Sequence, residues 1–218
     1  MSLELHFHPL SSFCQKVVMA FYENDTPFEL QMLGADERIA AEHAKLWPLK
    51  RMPVLADGKR TVAEATIIIE YLDVHHAGAV RFVPAVAEHA IDVRFMDRFF
   101  DNYVMTPMQK IVGDSLRPST SRDPHGVADA RRTLDAAYGW LDERMARREW
   151  AANDAFGLAD CAAAPSLFYA DWVQPLGDAF PNVRAYRRRL LARPSFARAV
   201  DEARPYRKLF PLGAPDRD

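Results

Sequence analysis

Cysteine is scarce in this 218-residue chain, and no long apolar run interrupts it. Its two cysteines are too few to hold a secreted domain of this size together, which favours a reducing compartment. The opening segment MSLELHFHPL has neither a basic leader nor the apolar core of a signal peptide, so we expect a cytoplasmic protein. The longest apolar stretches, such as CAAAPSLF, are far shorter than the roughly 20 residues of a membrane helix. We therefore expect no membrane partner.

A charge surplus of either sign is also missing. The 28 basic and 30 acidic residues give a net charge of -2, whereas a general nucleic-acid binder carries a strong positive surplus. The basic segment RAYRRRLLARPSFAR is followed by Asp201 and Glu202, and we interpret it as a solvated helix face. The composition therefore predicts no nucleic-acid partner.

Metal-ligand patterns are absent as well. The sequence contains His6 and His8, and the pair His75 and His76, but no acidic or cysteine cluster accompanies them at ligand spacing. We expect these histidines to lie in the core or on the surface, and we expect no metal cofactor.

What the sequence does contain in its first third is an alternation of strand and helix patterns. Leu3, Leu5 and Phe7 alternate with polar residues as in a strand, and FELQML is a second strand candidate. MPVLADGKRTVAE contains an Asp-Gly turn between two short strands, which predicts a hairpin. Helical patterns follow the first strand, the second strand and the hairpin, in the segments SSFCQKVVMAFYEN, ADERIAAEHAKLW and EATIIIEYLDVHH respectively.

The pattern changes at Pro84, after which every long segment has helical periodicity. Ile91, Phe95, Phe99 and Tyr103 follow one another at four-residue spacing and would share one helix face. The sequence therefore predicts an α/β domain followed by an all-α domain. We place a mixed-sheet domain at residues 1–78, a linker at 79–86 and a helical domain at 87–218.

Four separated stretches resemble one known family: SSFCQKVVMA, WPLKRMPVLADG, EATIIIEYLD and FGLADCAAAP. In this order and spacing the chain resembles the cytosolic glutathione S-transferases, of a serine type that is bacterial-like and related to the zeta and phi classes. The resemblance implies a thioredoxin-like N-terminal domain, with a mixed sheet and flanking helices, and an all-helical C-terminal domain. It also implies glutathione as co-substrate, a small apolar electrophile as second substrate, and a homodimer.

The first helix opens with two serines, and this turn is the candidate catalytic element. A hydroxyl at a helix N-terminus can donate to a thiolate, while unpaired N–H groups and the helix dipole add positive potential there. Both effects favour an ionised sulfur. The family places its reactive side chain first in the frame Ser11, Ser12, Phe13, Cys14, so Ser11 is the first candidate and Ser12 the second. The alternative is that either serine only caps the helix. We expect Cys14 to be a small buried thiol.

Met52 and Pro53 precede the hairpin. Because proline has no N–H for a strand ladder, it belongs at a special turn, and thioredoxin-like folds hold it in the cis form. The resemblance implies that the Met52 backbone pairs with the cysteinyl backbone of glutathione like an added strand. It also makes Arg51, and less directly Arg38, candidates for the glycyl carboxylate. Both arginines could equally be solvated surface charges.

Glu64 and Ala65 begin the third helix, where the family holds the γ-glutamyl group. The acid would pair with the ammonium, and the helix N-terminus would receive the carboxylate. The family typically has serine where this chain has Ala65, so one hydroxyl donor is missing. Whether Thr66 compensates is left open by the sequence.

The remaining resemblance concerns the electrophile pocket and the buried helix of the second domain. We expect an apolar, aromatic pocket formed by Leu10, Phe13, Phe99, Tyr103 and Met105, although such a stripe can also be plain core. In FGLADCAAAP, glycine replaces the usual Ser or Thr of the family's capping box, which leaves Asp160 to satisfy the helix donors.

The sequence as a whole predicts an enzyme that activates the glutathione thiol for attack on a hydrophobic electrophile. One alternative is a glutathione-dependent isomerase of the maleylacetoacetate type, although Phe13 stands where that branch has a cysteine. Another is a ligand-binding or regulatory protein that kept the fold and lost turnover, an option that the missing hydroxyl at Ala65 leaves open.

Overall fold

The computed structural model describes residues 2–218. Within them, the N-terminal part forms a mixed four-stranded sheet in the order β2-β1-β3-β4. β1 pairs in parallel with β2 and antiparallel with β3, and β3 and β4 form an antiparallel hairpin. The strands are β1 (Leu3–Phe7), β2 (Phe28–Met32), β3 (Val54–Asp57) and β4 (Arg60–Ala63). The predicted strands and hairpin are confirmed.

Three helices accompany this sheet in the described part of the chain: α1 (Ser12–Glu23), α2 (Glu37–Leu46) and α3 (Ala65–His75). Val17 and Phe21 of α1 are fully buried in the core with Leu5 of the sheet. This thioredoxin-like domain, followed by helices, is the predicted fold.

The opposite face of β1 is covered too. His6 of β1 is fully buried, and its ring centroid lies 5.7 Å from that of His43 on α2. All four ring nitrogens of this pair are buried without a hydrogen-bond partner among residues 2–218. A buried histidine pair therefore lies between β1 and α2 on this side of the sheet.

The C-terminal part is helical. α7 runs through its centre and is buried at nearly every position. Its helices are α4 (Ala87–Phe99), α5 (Thr106–Ser115), α6 (Pro124–Met145), α7 (Leu158–Val173), α8 (Pro181–Leu191) and α9 (Pro194–Ala203), and short 3-10 turns occur at Ser119–Ser121 and Arg204–Leu209.

One segment departs from the predicted continuous helix. Between α4 and α5 the backbone forms a π-helical stretch at Phe100–Met105. A π turn holds an extra residue, so the side chains after it face in directions that a regular α-helix would not give them. Val104 and Met105 are consequently buried, whereas Tyr103 is 52% exposed.

Residues 76–86 connect α3 to α4 without helix or strand. The Asp73 carboxylate accepts hydrogen bonds from the backbone N–H groups of Phe82 (3.2 Å) and Val83 (2.8 Å), and the Phe82 side chain is fully buried. The connection is thus fixed to the end of α3. The domain limits 1–78, 79–86 and 87–218 remain our proposal.

The start of α7 shows why glycine occupies position 157. A Cβ atom there would lie 2.8 Å from the backbone oxygen of Phe82, closer than packed atoms tolerate. The Asp160 carboxylate accepts from the backbone N–H of Gly157 (3.0 Å) and of Ala151 (2.9 Å), and from the Tyr186 hydroxyl (2.5 Å). Asp160 therefore caps the helix as predicted.

Among residues 2–218, no helix combines the length and the apolar character that a membrane span requires.

Candidate active site

A cavity of about 890 Å³ is lined by residues of both the sheet-containing part and the helical part. On the sheet side it is bordered by three segments of chain that the sequence places far apart. These are the turn before α1 and its first residues, the loop before β3, and the start of α3. The cavity therefore joins the predicted catalytic turn to the predicted glutathione-binding segments.

Ser11 lies at the cavity as the N-cap of α1. Its backbone is extended, with φ -80° and ψ 117°, and its Oγ accepts a hydrogen bond from the Cys14 N–H at 3.3 Å. That contact uses an oxygen lone pair, so the hydroxyl hydrogen remains free to point toward a ligand. Ser11 can therefore cap the helix and donate to a ligand at the same time.

Ser12 also borders the cavity but faces the helical part. Only 6% of its surface is exposed, and its hydroxyl donates to the Met105 sulfur at 3.2 Å. Because a hydroxyl carries a single hydrogen, this contact leaves Ser12 without a donor for a ligand.

Cys14 is fully buried one turn into α1. Burial raises the pKa of its thiol to about 12, although the Ser11 side chain partly opposes this. The thiol is neutral near pH 7, which agrees with the predicted role of a small buried side chain and excludes a thiolate nucleophile at this position.

The loop before β3 borders the cavity with Lys50, Arg51, Met52 and Pro53. The Met52–Pro53 peptide bond is cis, as predicted. Lys50 and Arg51 are exposed at the cavity margin, so this end of the cavity is positively charged. Lys50 was not predicted from the sequence, although it directly precedes Arg51.

The start of α3 gives the cavity a second polar end. Glu64 has φ +70° and caps no backbone group with its side chain, so its carboxylate is free for a ligand. A positive φ is costly for a side chain of this kind and is often found where a ligand is held. Ala65 follows as the first residue of α3 and borders the cavity.

Thr66 does not replace the missing serine hydroxyl. Its Oγ1 donates to Asp97 at 2.9 Å and accepts from the Lys16 ammonium at 3.0 Å, so it faces away from the cavity. Lys16 is itself 1% exposed and pairs with Asp97 at 2.5 Å and Asp101 at 3.0 Å. This buried charge cluster connects α1 and α3 to α4 and the π segment, and it was not predicted from the sequence.

Arg38, the weaker candidate for the glycyl carboxylate, lies outside the cavity. Its side chain is 75% exposed on the first turn of α2, 3.8 Å from the Asp36 carboxylate. The side chain is a solvated surface charge, the alternative that the sequence left open.

The structure brings only some of the residues predicted for the electrophile wall to the cavity. Leu10 and Phe13 line the cavity, whereas Phe99, Tyr103 and Met105 do not. Phe99 packs on Trp140 with ring centroids 4.7 Å apart, Tyr103 is half exposed, and Met105 is buried beneath Ser12. The π segment determines where these three side chains point. Four-residue spacing along a regular α-helix did not predict these orientations.

The helical wall of the cavity comes instead from α5, α7 and the C-terminal tail. It consists of Met108, Gln109, Val112, Gly113, Tyr169, Leu209, Phe210 and Pro211. Met108 and Val112 are four residues apart, and this spacing could have indicated that they share the helix face that lines the cavity. The tail residues have no comparable local signal.

His8 and Trp47 also border the cavity and were not predicted. The Nδ1 atom of His8 accepts from the Leu10 N–H at 3.2 Å, and burial lowers the pKa of this imidazole. His8 is therefore a neutral group beside the first turn of α1.

The cavity thus combines a basic end, an acidic side chain beside a helix N-terminus, a free hydroxyl and an apolar wall. Lys50 and Arg51 suit a carboxylate, Glu64 suits an ammonium group, and the N–H groups at the start of α3 suit a second carboxylate. A peptide with such groups at its two ends would fit here with its middle beside Ser11. The apolar wall suits a second, apolar molecule in the same cavity.

Comparison with known proteins agrees with this geometry. The sequence matches the family description "Glutathione S-transferase, N-terminal domain" over residues 5–79. It matches "Glutathione S-transferase, C-terminal domain" over residues 99–194. The two matches cover the sheet-containing part and the core of the helical part.

Individual relatives span nearly the whole chain. Glutathione S-transferase GstB of Escherichia coli is 24% identical over 192 residues, covering 85% of this chain and 91% of GstB. A probable maleylacetoacetate isomerase of Vibrio cholerae is 25% identical over 219 residues, covering 94% and 98%. A solved glutathione S-transferase of Methylobacterium radiotolerans, in complex with glutathione sulfonate, superposes with a TM-score of 0.79 at 25% identity, covering 92% and 95%. The chain belongs to the cytosolic glutathione S-transferase family and is a glutathione transferase with glutathione as co-substrate.

Proposed function

We propose that Ser11 donates a hydrogen bond to the sulfur of bound glutathione and stabilises it as the thiolate that attacks a small apolar electrophile. The observation that carries this proposal is the difference between the two serines. The Ser11 oxygen accepts from Cys14 and leaves its hydrogen free, whereas the Ser12 hydrogen is used by Met105. The N-terminus of α1 adds positive potential at the same point.

The ends of the cavity indicate how glutathione would lie. Arg51 takes the glycyl carboxylate, and the backbone of Met52, held by Pro53, pairs with the cysteinyl residue. Glu64 binds the γ-glutamyl ammonium, and the N–H of Ala65 at the start of α3 faces the adjoining carboxylate. This orientation places the cysteinyl sulfur between the two ends, where Ser11 lies.

Catalysis then has two sources. A sulfur that ionises near pH 7 is a far better nucleophile than a neutral thiol. Holding it next to the electrophile converts an encounter of two molecules into a reaction within one complex. Leu10, Phe13 and the cavity-lining residues of α5 make the electrophile side apolar. The second substrate is therefore expected to be apolar.

Ser11→Ala should lower kcat/KM for glutathione and a chloronitrobenzene by about 10- to 100-fold, because a hydrogen bond to a charged group contributes roughly 1.5–3 kcal/mol. Ser12→Ala is the matched control and should stay within a few-fold of the unaltered protein. Equal activity of Ser11→Ala and the unaltered protein, or an equal loss in both variants, would contradict the role assigned to Ser11.

A second candidate reaction is glutathione-dependent isomerisation of a maleylacetoacetate-like acid. The Vibrio cholerae relative named a probable maleylacetoacetate isomerase supports it, since it matches 94% of this chain. The same thiolate could add to and leave such an acid. Turnover of a cis-dienoic keto acid at a rate above that of conjugation would favour this reaction.

We further propose that the chain forms a homodimer. Ile67 (52% exposed) and Val74 (73%) on α3, with Ile91 (64%) and Phe95 (48%) on α4, present apolar side chains to solvent. The two helices are adjacent, since Arg94 pairs with Glu70 at 2.6 Å. An exposed apolar surface of this kind is typical of a protein interface.

A cytoplasmic location is part of the proposal. Cys14 and Cys161 are both buried free thiols, as is usual for proteins of a reducing compartment.

A further inference from the structure

His6 of β1 and His43 of α2 form a buried pair that takes no part in the proposed chemistry. His6 is 0% exposed and His43 is 4% exposed, and their ring centroids lie 5.7 Å apart. None of the four ring nitrogens has a hydrogen-bond partner among residues 2–218. Buried polar atoms are nearly always paired, so two unpaired imidazoles in contact inside a domain require an explanation.

The pair attaches α2 to the sheet. His43 is the only residue of α2 that is buried, and most of the others are exposed. A helix with so little buried surface opens locally at a low free-energy cost. The contact of His43 with His6 is therefore the most deeply buried anchor of α2.

This anchor is connected to the margin of the cavity. The His43 carbonyl accepts from the Trp47 N–H at 2.8 Å, and the Trp47 carbonyl accepts from the Lys50 N–H at 2.9 Å. Trp47, Lys50 and Arg51 border the cavity, and the backbone of Lys50 and Arg51 lies near the His43 ring. A displacement of α2 would therefore move the basic end of the cavity.

The surroundings of the pair do not neutralise a proton on either ring. The charged and titratable side chains near it come from three elements: Glu4 and His8 on the same face of β1, Glu42 on α2, and Lys50 and Arg51 in the loop before β3. The residues paired with His6 on β2 and β3 are the uncharged Gln31 and Val54. Within the described chain, none of these groups hydrogen-bonds to either ring. A proton on an imidazole here would place an unpaired charge in a dry contact, which is unfavourable.

Burial accordingly lowers the pKa of both imidazoles, and at His6 the neighbouring His43 lowers it further. Glu42 at His6, and the backbone of Lys50 and Arg51 at His43, oppose these shifts in part. In water an imidazole takes up its proton at about pH 6.5, so a separated pair binds protons more readily than the pair in contact. Below that pH, acid favours release of α2 by up to about tenfold per pH unit for each histidine.

We propose that His6 and His43 are positioning residues for the basic end of the glutathione site, and that their contact makes the affinity for glutathione depend on pH. This inference rests on the proposed function, because it takes Arg51 as the partner of the glycyl carboxylate. At neutral pH the anchored α2 holds Lys50 and Arg51 at the cavity. In mild acid the pair separates, α2 is released, and the two cations are no longer held there.

Binding of S-methylglutathione tests this, because its methylated sulfur cannot ionise and the thiol therefore adds nothing to the pH dependence. Its dissociation constant, measured by calorimetry, should rise at least about five-fold in the unaltered protein when the pH falls from about 7.5 to about 5.5. The double variant His6→Phe with His43→Phe has no imidazole at this contact, and its dissociation constant should change by less than about two-fold over the same range. His125→Phe, at an exposed position on α6, is the control and should keep the full pH dependence.

His8 borders the cavity and is the competing source of a pH effect on binding. A rise of the same size in the double variant and in the unaltered protein would assign the effect to His8 or to another group outside the pair, and would overturn the proposal.

Hydrogen exchange of the unaltered protein provides a test that does not depend on the folding of a variant. The protection of the α2 amides, corrected for the intrinsic effect of pH on exchange, should fall at least about five-fold between about pH 7.5 and 5.5, and that of α7 should fall less. Equal protection of α2 at the two pH values would overturn the role of the pair and leave the proposed function intact. Failure of the unaltered protein to bind S-methylglutathione at either pH would overturn both.

Discussion

Two neighbouring serines at the first turn of α1 have opposite surroundings. The Ser11 hydroxyl is turned to the cavity and accepts from its own helix, while the Ser12 hydroxyl contacts a methionine sulfur of the helical part. From the sequence, Ser11 was the first candidate for the catalytic serine because it is the first residue of the family's four-residue frame. The physical reason we propose for preferring Ser11 is that its hydroxyl has no acceptor within the described chain, whereas the Ser12 hydroxyl donates to Met105.

Ala65 stands where the family typically has serine, and the neighbouring Thr66 does not supply the missing hydroxyl. The Thr66 hydroxyl is engaged by Lys16 and Asp97, so the γ-glutamyl end of the cavity is left with Glu64 and backbone N–H groups. The sequence could not decide this question, because the direction of Thr66 depends on a lysine fifty residues earlier in the chain.

His6 and His43 should make the fold sensitive to acid. Burial lowers the pKa of both imidazoles, and at His6 the adjacent His43 adds to this. Glu42 opposes the shift in part at His6, and the backbone of Lys50 and Arg51 opposes it in part at His43. The neutral pair stabilises the fold fully above the unfolded-state pKa of about 6.5, and this contribution is lost as the pH falls below it. Each histidine adds up to about 1.4 kcal/mol per pH unit to the loss.

The measurement is urea unfolding at pH 7.5 and 5.5, conditions that span roughly the usual histidine pKa. His6→Phe should reduce the difference in unfolding free energy between the two conditions. His125→Phe, at an exposed position on α6, should leave the difference unchanged. An identical pH dependence in His6→Phe and the unaltered protein would contradict this explanation.

Among the elements, those with strong local patterns were predictable. Three features depend only on residues close in sequence: the alternation in β1, the Asp-Gly turn between β3 and β4, and the apolar face of α3. The π segment and the helical wall of the cavity were not predictable in this way. Phe99 and Tyr103 have the spacing of a pocket-lining stripe, but the backbone between them changes register, and Phe210 reaches the cavity from the far end of the chain.

Gly157 at the start of α7 is expected to be required by packing. Gly157→Ala places a Cβ atom 2.8 Å from the Phe82 oxygen and should lower the free energy of unfolding by about 1–3 kcal/mol. Gly139→Ala is the matched control in the interior of α6, where an added Cβ has no atom within 4 Å. It should be neutral or stabilising by up to roughly 1 kcal/mol. Equal stabilities of the two variants in urea would show that the close approach to Phe82 has no energetic consequence.

At the scale of the whole molecule, buried charge connects the two parts. The Lys16 ammonium lies between two aspartates at the junction of α4 and the π segment, and the Thr66 hydroxyl of α3 completes the cluster. Arg98 also pairs with both aspartates, so the cluster holds two cations and two carboxylates. Removal of one member would leave an unbalanced charge largely out of water, which is unfavourable. The start of α3, which carries Glu64, is thereby held in place by the helical part.

The proposed homodimer would bury the apolar residues exposed on α3 and α4 against a second copy of the chain. Phe95→Glu should convert a dimer into a monomer, because it places a charge in the middle of the proposed interface. Leu116→Glu is the control, since Leu116 is 69% exposed and lies outside α3 and α4. Light scattering after gel filtration measures the mass. A monomeric unaltered protein, or a dimer that survives Phe95→Glu, would contradict the proposed interface.

The most direct test of the central claim is the pKa of the glutathione sulfur in the bound state, followed by the ultraviolet absorbance of the thiolate during a pH titration. Ser11→Ala should raise this pKa by roughly 1–2 units relative to the unaltered protein, and Ser12→Ala should leave it unchanged. A bound sulfur that titrates at the same pH in the unaltered protein and in Ser11→Ala would contradict the account.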